Sequence, residues 1–309
     1  MANKRKTTPF GVLVPIVTPC TRAGEPDLGG LGAVCDDMLA AGVDSFFVAG
    51  STGRGPWFSR ADRAKVCRAV ADRLGGDRPL LAGCMAAGLP DMIDNARAMA
   101  DAGAMFAVAT APVYFKYSAA DLEAIFLAFA DRSPVPVVVY DIPDLVASGI
   151  DTRTLSALAS HPNIAGFKDS SANYVQFVKL LDALKSVPGF HLLQGKEPYL
   201  KDSLAAGASG FVVSLLHVDP RPFVALARAV RAGDTATADR LQAAILKVFD
   251  LINECFKQRP ESSTLFHFLN EALSLRGVRV NLRLAYEADC PDLIAQRARA
   301  AVGVLAETC

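Results

Sequence analysis

Eight short runs rich in β-branched and aromatic residues alternate with helical stretches along most of this chain. They are VLVPIVT (12–18), SFFVAG (45–50), PLLAGC (79–84), AMFAVAT (104–110), PVVVYDI (136–142), IAGFKDS (164–170), FHLLQG (190–195) and GFVVSL (210–215). Between them lie segments with apolar residues at helical spacing, such as SRADRAKVCRAVADRL (59–74), LPDMIDNARAMADAG (89–103) and SAADLEAIFLAFADRS (118–133). Strict alternation of strand and helix makes parallel strands, because each helix must carry the chain back to the starting edge. Eight such units predict an α/β fold, a closed (β/α)8 TIM barrel. The rival is an open doubly wound sheet. A dinucleotide site on such a sheet needs G-x-G-x-x-G after the first strand, and PCTRAGEPD stands there instead.

Gly42, Gly103 and Gly207 follow helical patterns and suit helix C-caps. The eighth unit closes near Gly233, so the barrel is expected over residues 10–233. Residues 234–309 read as a C-terminal helical region, with helices in TATADRLQAAILKVFDLINECF, STLFHFLNEALSL and LIAQRARAAVGVLAE. Residues 1–9, MANKRKTTP, are basic but lack an apolar core, which makes them a flexible tail rather than a secretory signal.

Lys+Arg and Asp+Glu number 32 each, with no basic stripe, which argues against a nucleic-acid or anionic-membrane partner. No apolar run approaches the ~18 residues of a membrane span. The seven cysteines are scattered, odd in number and without a C-x-x-C pair. They read as free thiols in a reducing cytoplasm. The four histidines lie far apart, so no metal site is expected.

In a barrel, chemistry gathers where strands end at the carboxyl face. Three ends stand out: AGSTGRG after strand two, VVYDIP at strand five and GFKDSS at strand six. Gly50-Ser51-Thr52-Gly53 offers hydroxyls and backbone N–H groups that can cup an anion, or it is an ordinary turn. Tyr140 closes an apolar run. It is either core with a satisfied hydroxyl or a proton shuttle in a polar mouth. Lys168 leaves an apolar strand. It either meets water or forms an imine, since an apolar approach favours the uncharged amine that attacks a carbonyl.

GSTG, YDIP and HPNIAGFKDSS, with VPIVTP in the first strand, resemble the dihydrodipicolinate synthase / N-acetylneuraminate lyase family in order and spacing. The resemblance runs from about Phe10 to the last helices. It implies a pyruvate-dependent class I aldolase or lyase that needs no cofactor and no metal. It implies Lys168 as imine former, Tyr140 as general acid/base, Ser51 in a proton relay and Tyr114 lent to the site of a neighbouring subunit. It further implies Thr52, Gly50, Gly53 and Val212 as the keto-acid pocket, and a homotetramer built from dimers.

The chain departs from the family pattern in specific places. The synthases carry an arginine two residues after Tyr-x-x-Pro to hold a second carboxylate. Leu145 stands there, with no nearby replacement in the sequence. Arg54 follows GSTG where the synthases have Glu, and reads as a surface charge at a helix start. Val113 replaces an aromatic residue, and Asp141 stands where Asn is common. GKEP (195–198) replaces the Gly-x-Asp-Glu of sialate lyases. GSTGRGPWFS is closer to the 2-keto-3-deoxy-sugar-acid aldolases. The expected activity is therefore cleavage of such an acid, or a related 4-hydroxy-2-oxo acid, to pyruvate and an aldehyde. Dihydrodipicolinate synthesis, dehydration through the same imine, and a non-catalytic keto-acid sensor stay open.

Overall fold

The computed structural model describes residues 10–76, 78–285, 287 and 291–308. The expected N-terminal tail, Cys290 and Cys309 lie outside the described residues. Eight parallel strands close into a barrel in sequence order: β1 (Gly11–Val14), β2 (Ser45–Val48), β3 (Leu80–Gly83), β4 (Phe106–Ala109), β5 (Val137–Asp141), β6 (Ile164–Asp169), β7 (His191–Gln194) and β8 (Gly210–Val212). β8 pairs back onto β1, Gly11 facing Gly210. The helices between and after them are α1 (Leu28–Ala40), α2 (Arg60–Leu74), α3 (Leu89–Asp101), α4 (Ala119–Arg132), α5 (Thr152–Leu158), α6 (Tyr174–Leu184), α7 (Leu200–Ala205) and α8 (Pro220–Ala232). This is the expected TIM barrel, and its sheet closes on itself.

The strands are shorter than the apolar runs, for local reasons. β1 stops at Val14 because Pro15 has no N–H to donate. β2 stops at Val48 because Ala49 turns to a φ of 52°. β8 keeps three residues before Ser214–His217 winds into a 3-10 turn. Gly42, Gly103 and Gly207 each follow a helix cap with φ between 89° and 101°, the left-handed conformation that glycine adopts without strain.

Alternation along each strand sorts side chains between two cores. Leu13, Phe47, Leu81, Val108, Val138 and Tyr140 fill the barrel interior. Val12, Val14, Phe46 and Val48 point the other way, into the layer beneath the helices. Phe10 meets Phe106 and His191 edge-on, with centroids 5.0 and 4.6 Å apart. Because Tyr140 points inward, Asp141 points outward, and likewise Lys168 and Asp169 face opposite ways.

After the barrel come α9 (Thr235–Gln258), α10 (Ser263–Leu275) and α11 (Asp292–Ala306). The Asp234 side chain caps α9 by accepting from the Thr237 N–H at 3.0 Å. α9 packs on α8, and α11 lies against α9 and α10. Among the described residues no helix is long and apolar enough to cross a membrane.

Candidate active site

A cleft of about 480 Å3 opens at the carboxyl ends of the strands. Lys168, Tyr140, Ser51, Thr52 and Val212 all line it. β5 and β6 pair so that Tyr140 stands directly opposite Lys168. The Lys168 side chain is 4% exposed. Its Nζ lies 4.0 Å from the centroid of the Tyr140 ring and 5.0 Å from that of Phe47. No carboxylate among the described residues forms an ion pair with it. Two aromatic faces therefore hold the amine, attracting its charge through their quadrupoles while keeping bulk water off it.

The hydroxyls of Tyr140 and Ser51 share a hydrogen bond at 3.4 Å. Ser51 owes its place to a tightly folded turn after β2. The Arg54 N–H donates to the Ser51 carbonyl at 3.0 Å, and the Gly55 N–H to the Gly50 carbonyl at 2.9 Å. The Thr18 hydroxyl donates to the Gly53 carbonyl at 2.8 Å. A Cβ on Gly55 would fall 1.8 Å from the Ala49 carbonyl oxygen, and one on Gly53 2.8 Å from that of Ile16. Both glycines are thus required by close backbone approach. Gly50 and Gly53 shape this turn but do not line the cleft. Their place is behind Ser51 and Thr52, which do line it.

Tyr114 does not line the cleft of its own chain. It is 84% exposed, has a φ of 96° and lies edge-on to the exposed Phe115. Arg54 is not the surface charge expected of it. It is buried, its guanidinium sits 3.6 Å above the Phe266 ring, and it pairs with Glu287 at 2.8 Å. The turn folds the Arg54 side chain inward, against the C-terminal region.

Two carboxyls follow the cleft residues on the outward face. Asp141 and Asp169 are paired across β5 and β6 and are both buried. Burial, then the neighbouring Asp169 charge, pushes Asp141 up to about 7. Burial raises Asp169 too, against the hydrogen bonds it accepts from Ser171.

The loop after β7 adds groups that sequence reasoning missed. Glu197 lines the cleft and is buried, which raises its carboxyl above the usual range, and it lies within electrostatic reach of both Lys196 and Lys168. Lys196 also lines the cleft and bridges to Asp144 at 3.0 Å. Asp144 adjoins Leu145, so a cation does stand near that leucine, supplied from a different strand. The one signal available was position: GKEP sits at a strand's carboxyl end. The far wall comes from α9 and α10, where Phe249, Ile252, Phe256 and Phe266 face the cleft.

A (β/α)8 barrel with a lysine at the end of β6 and helices closing the cleft is the architecture of the pyruvate-dependent class I lyases, and this protein is such an enzyme. The chain belongs to the dihydrodipicolinate synthetase family, which matches residues 8–285. It is 34% identical over 243 residues to 4-hydroxy-tetrahydrodipicolinate synthase 1 of Streptomyces coelicolor, covering 78% of each chain. It is 35% identical over 238 residues to 4-hydroxy-tetrahydrodipicolinate synthase of Corynebacterium aurimucosum, covering 77% of this chain and 78% of that one. Among solved structures it resembles YagE, a prophage protein of the dihydrodipicolinic acid synthase family from E. coli K12 in complex with pyruvate. The TM-score is 0.86 at 26% identity, over 97% of this chain and 98% of that one.

Proposed function

We propose that the protein cleaves a 4-hydroxy-2-oxo acid, the 2-keto-3-deoxy sugar acids among them, to pyruvate and an aldehyde. The observation that carries this reading is the Lys168–Tyr140–Ser51 constellation in one cleft whose mouth holds Leu145 rather than a guanidinium. The Lys168 amine attacks the C2 carbonyl and water leaves, giving the imine. Tyr140, relayed through Ser51, takes the proton of the C4 hydroxyl. The C3–C4 bond then breaks, its electron pair passes into the imine to form an enamine, and the aldehyde departs. Protonation at C3 and hydrolysis release pyruvate and regenerate the amine. Thr52 and the turn behind it hold the C1 carboxylate. Val212 packs against the acid, and Gly50 and Gly53 keep the turn in place.

A second reading is 4-hydroxy-tetrahydrodipicolinate synthesis. It draws support from the names of the relatives and from Lys196 beside Leu145. One experiment separates the two: kcat/KM for cleavage of a panel of 4-hydroxy-2-oxo acids, with a coupled pyruvate readout, beside condensation of pyruvate with aspartate semialdehyde on the same preparation. Faster cleavage is expected, and faster condensation overturns the first reading. A dehydratase would consume the same acids without releasing pyruvate. Among the described residues, the buried thiols of Cys20, Cys35, Cys67 and Cys84 are free, which suits a cytoplasmic setting.

A further inference from the structure

We propose that Glu197 is a further catalytic residue, the proton partner of Lys168, which takes the lysine's proton before the amine attacks and returns it to the hydroxyl that leaves as water. This rests on the cleft being an imine site. Four charged groups are found among the described residues lining the cleft: Lys168, Lys196, Asp144 and Glu197. Lys196 and Asp144 are joined to each other at 3.0 Å, and Asp144 is exposed. That leaves Lys168 and Glu197, both buried, with no ion pair between them among the described residues. A lysine attacks a carbonyl only as the uncharged amine, and Tyr140 is not placed to receive the proton the amine must shed. The Lys168 Nζ lies over the face of the Tyr140 ring, 4.0 Å from its centroid, whereas the hydroxyl at the ring's edge is turned to Ser51 at 3.4 Å. Ser170, Ser214, Asn253 and Ser262 also line the cleft, but a hydroxyl or an amide is no base for an ammonium proton near neutrality. Glu197 is the base that remains.

The fold holds this residue from two sides. Its Oε1 accepts from the Leu215 N–H on the turn after β8 at 3.4 Å, and Gln242 of α9 donates to its backbone carbonyl at 3.0 Å. Gln242 is itself fixed by accepting from the Lys201 N–H at 3.0 Å. The charges facing Glu197 are those of Lys196 and Lys168, while Leu215 and Gln242 bring uncharged contacts. Burial favours the protonated carboxyl, opposed by the backbone N–H groups of Glu197 and Leu215 and by the two lysine charges. In such a site a proton passing from ammonium to carboxylate removes two buried charges at once. The transfer runs through one water molecule, within the reach of acid–base catalysis. The Lys168 amine then forms the N–C2 bond, and the carbonyl oxygen takes a proton from that nitrogen to give the carbinolamine. The Glu197 acid gives its proton to the carbinolamine hydroxyl. The C2–O bond breaks with its electron pair, water leaves, and the nitrogen lone pair closes the iminium. Glu197 is again a carboxylate, facing the positive charge it helped to form.

The test follows imine formation alone, by mixing protein with pyruvate, quenching with borohydride at increasing times and reading the adduct by mass. The wild-type rate should be flat around neutral pH. Glu197→Gln keeps an oxygen for the Leu215 N–H. It should form the adduct about 10²–10⁴-fold more slowly, at a rate that climbs with pH, because the amine now loses its proton only to solvent. Glu197→Asp should recover much of the rate and the flat profile. Added formate should speed the reaction of Glu197→Ala by supplying the missing carboxyl. A loss equal at every pH and untouched by formate would mark Glu197 as a structural support, and a wild-type rate and profile in Glu197→Gln would leave it no part in the step. Either result overturns the proposal while leaving the imine reading intact. Absence of an adduct on the wild-type protein overturns both.

Discussion

Lys168 draws its character from alternation. β6 sends Phe167 outward, Lys168 into the cleft and Asp169 outward again, so one apolar strand delivers an amine to the cleft and a carboxyl away from it. Pyruvate with borohydride should leave a stable adduct that peptide mass mapping places on Lys168. An adduct on the cleft's other amine, Lys196, would reassign the chemistry. Lys168→Arg should fold and be inactive, since a guanidinium stays protonated. Tyr140→Phe should lose about 10²–10⁴-fold in rate while still trapping pyruvate, and near-normal turnover would place the proton transfer elsewhere. Asp141 has its own signature. Its folded value of about 7 lies above the ordinary 3.8, so the folded protein holds this proton more tightly than the unfolded chain does. The stability it gives is full below about pH 4 and is lost as pH rises through about 7, by up to ~4 kcal/mol. Asp141→Asn should flatten that decline in urea midpoints taken across the window. An unchanged pH profile would show that the outward carboxyl pair does not titrate there.

At the scale of elements, two joints hold the site's scaffold. The first ties the turn after β2 to the C-terminal region through Arg54, Glu287 and the Phe266 ring. Both partners of this ion pair are largely buried, and removing one strands the other's charge away from water. Arg54→Ala should therefore cost about 3–5 kcal/mol. The double variant Arg54→Leu with Glu287→Leu should recover part of that loss, because no lone buried charge remains. Thermal unfolding of the three proteins decides it, and a double variant no better than the single one would mean the cation–ring stacking matters more than the pair. The second joint is His217, which is fully buried. Its Nε2 accepts from the Val17 N–H at 3.2 Å and its Nδ1 faces the Ser214 carbonyl at 2.8 Å, joining the segment after β1 to the turn after β8. Burial lowers its value to about 4, so the ring stays neutral and Nδ1–H donates.

For the whole molecule, the exposed Tyr114 and Phe115 form an aromatic pair on the loop after β4, outside the cleft of their own chain. Two adjacent exposed aromatic rings offer apolar area that a second copy of the chain could cover. A homo-oligomer built from dimers that bury this pair is expected, a tetramer in its full form. Light scattering at micromolar concentration checks it, and a fully active monomer would count against both the assembly and the sharing of Tyr114. Tyr114→Ala should shift the protein toward monomer and lower activity together, whereas loss of activity with the assembly intact would assign the residue to the site alone.

Period and spacing determined eight parallel strand–helix units, and the missing G-x-G-x-x-G after the first strand told against an open sheet and for the closed barrel. Position at strand ends singled out Lys168, Tyr140, Ser51 and Thr52 as candidates, because strand ends converge wherever a barrel closes, and Val212 came only from the family resemblance. What tertiary structure alone decided is of a different kind. Arg54 sits in a glycine-rich turn that reads as exposed, and the docking of Phe266 and Glu287 against it is what buries it. Lys196 stands 51 positions after Leu145 in the chain, yet β5 and β7 bring their loops over one mouth. The apolar wall from α9 and α10 belongs to helices whose pattern shows that one face is buried but not what that face meets. Periodicity reports which side of an element seeks cover. The partner that covers it is chosen by the packing of distant segments, and that packing leaves no local mark in the sequence.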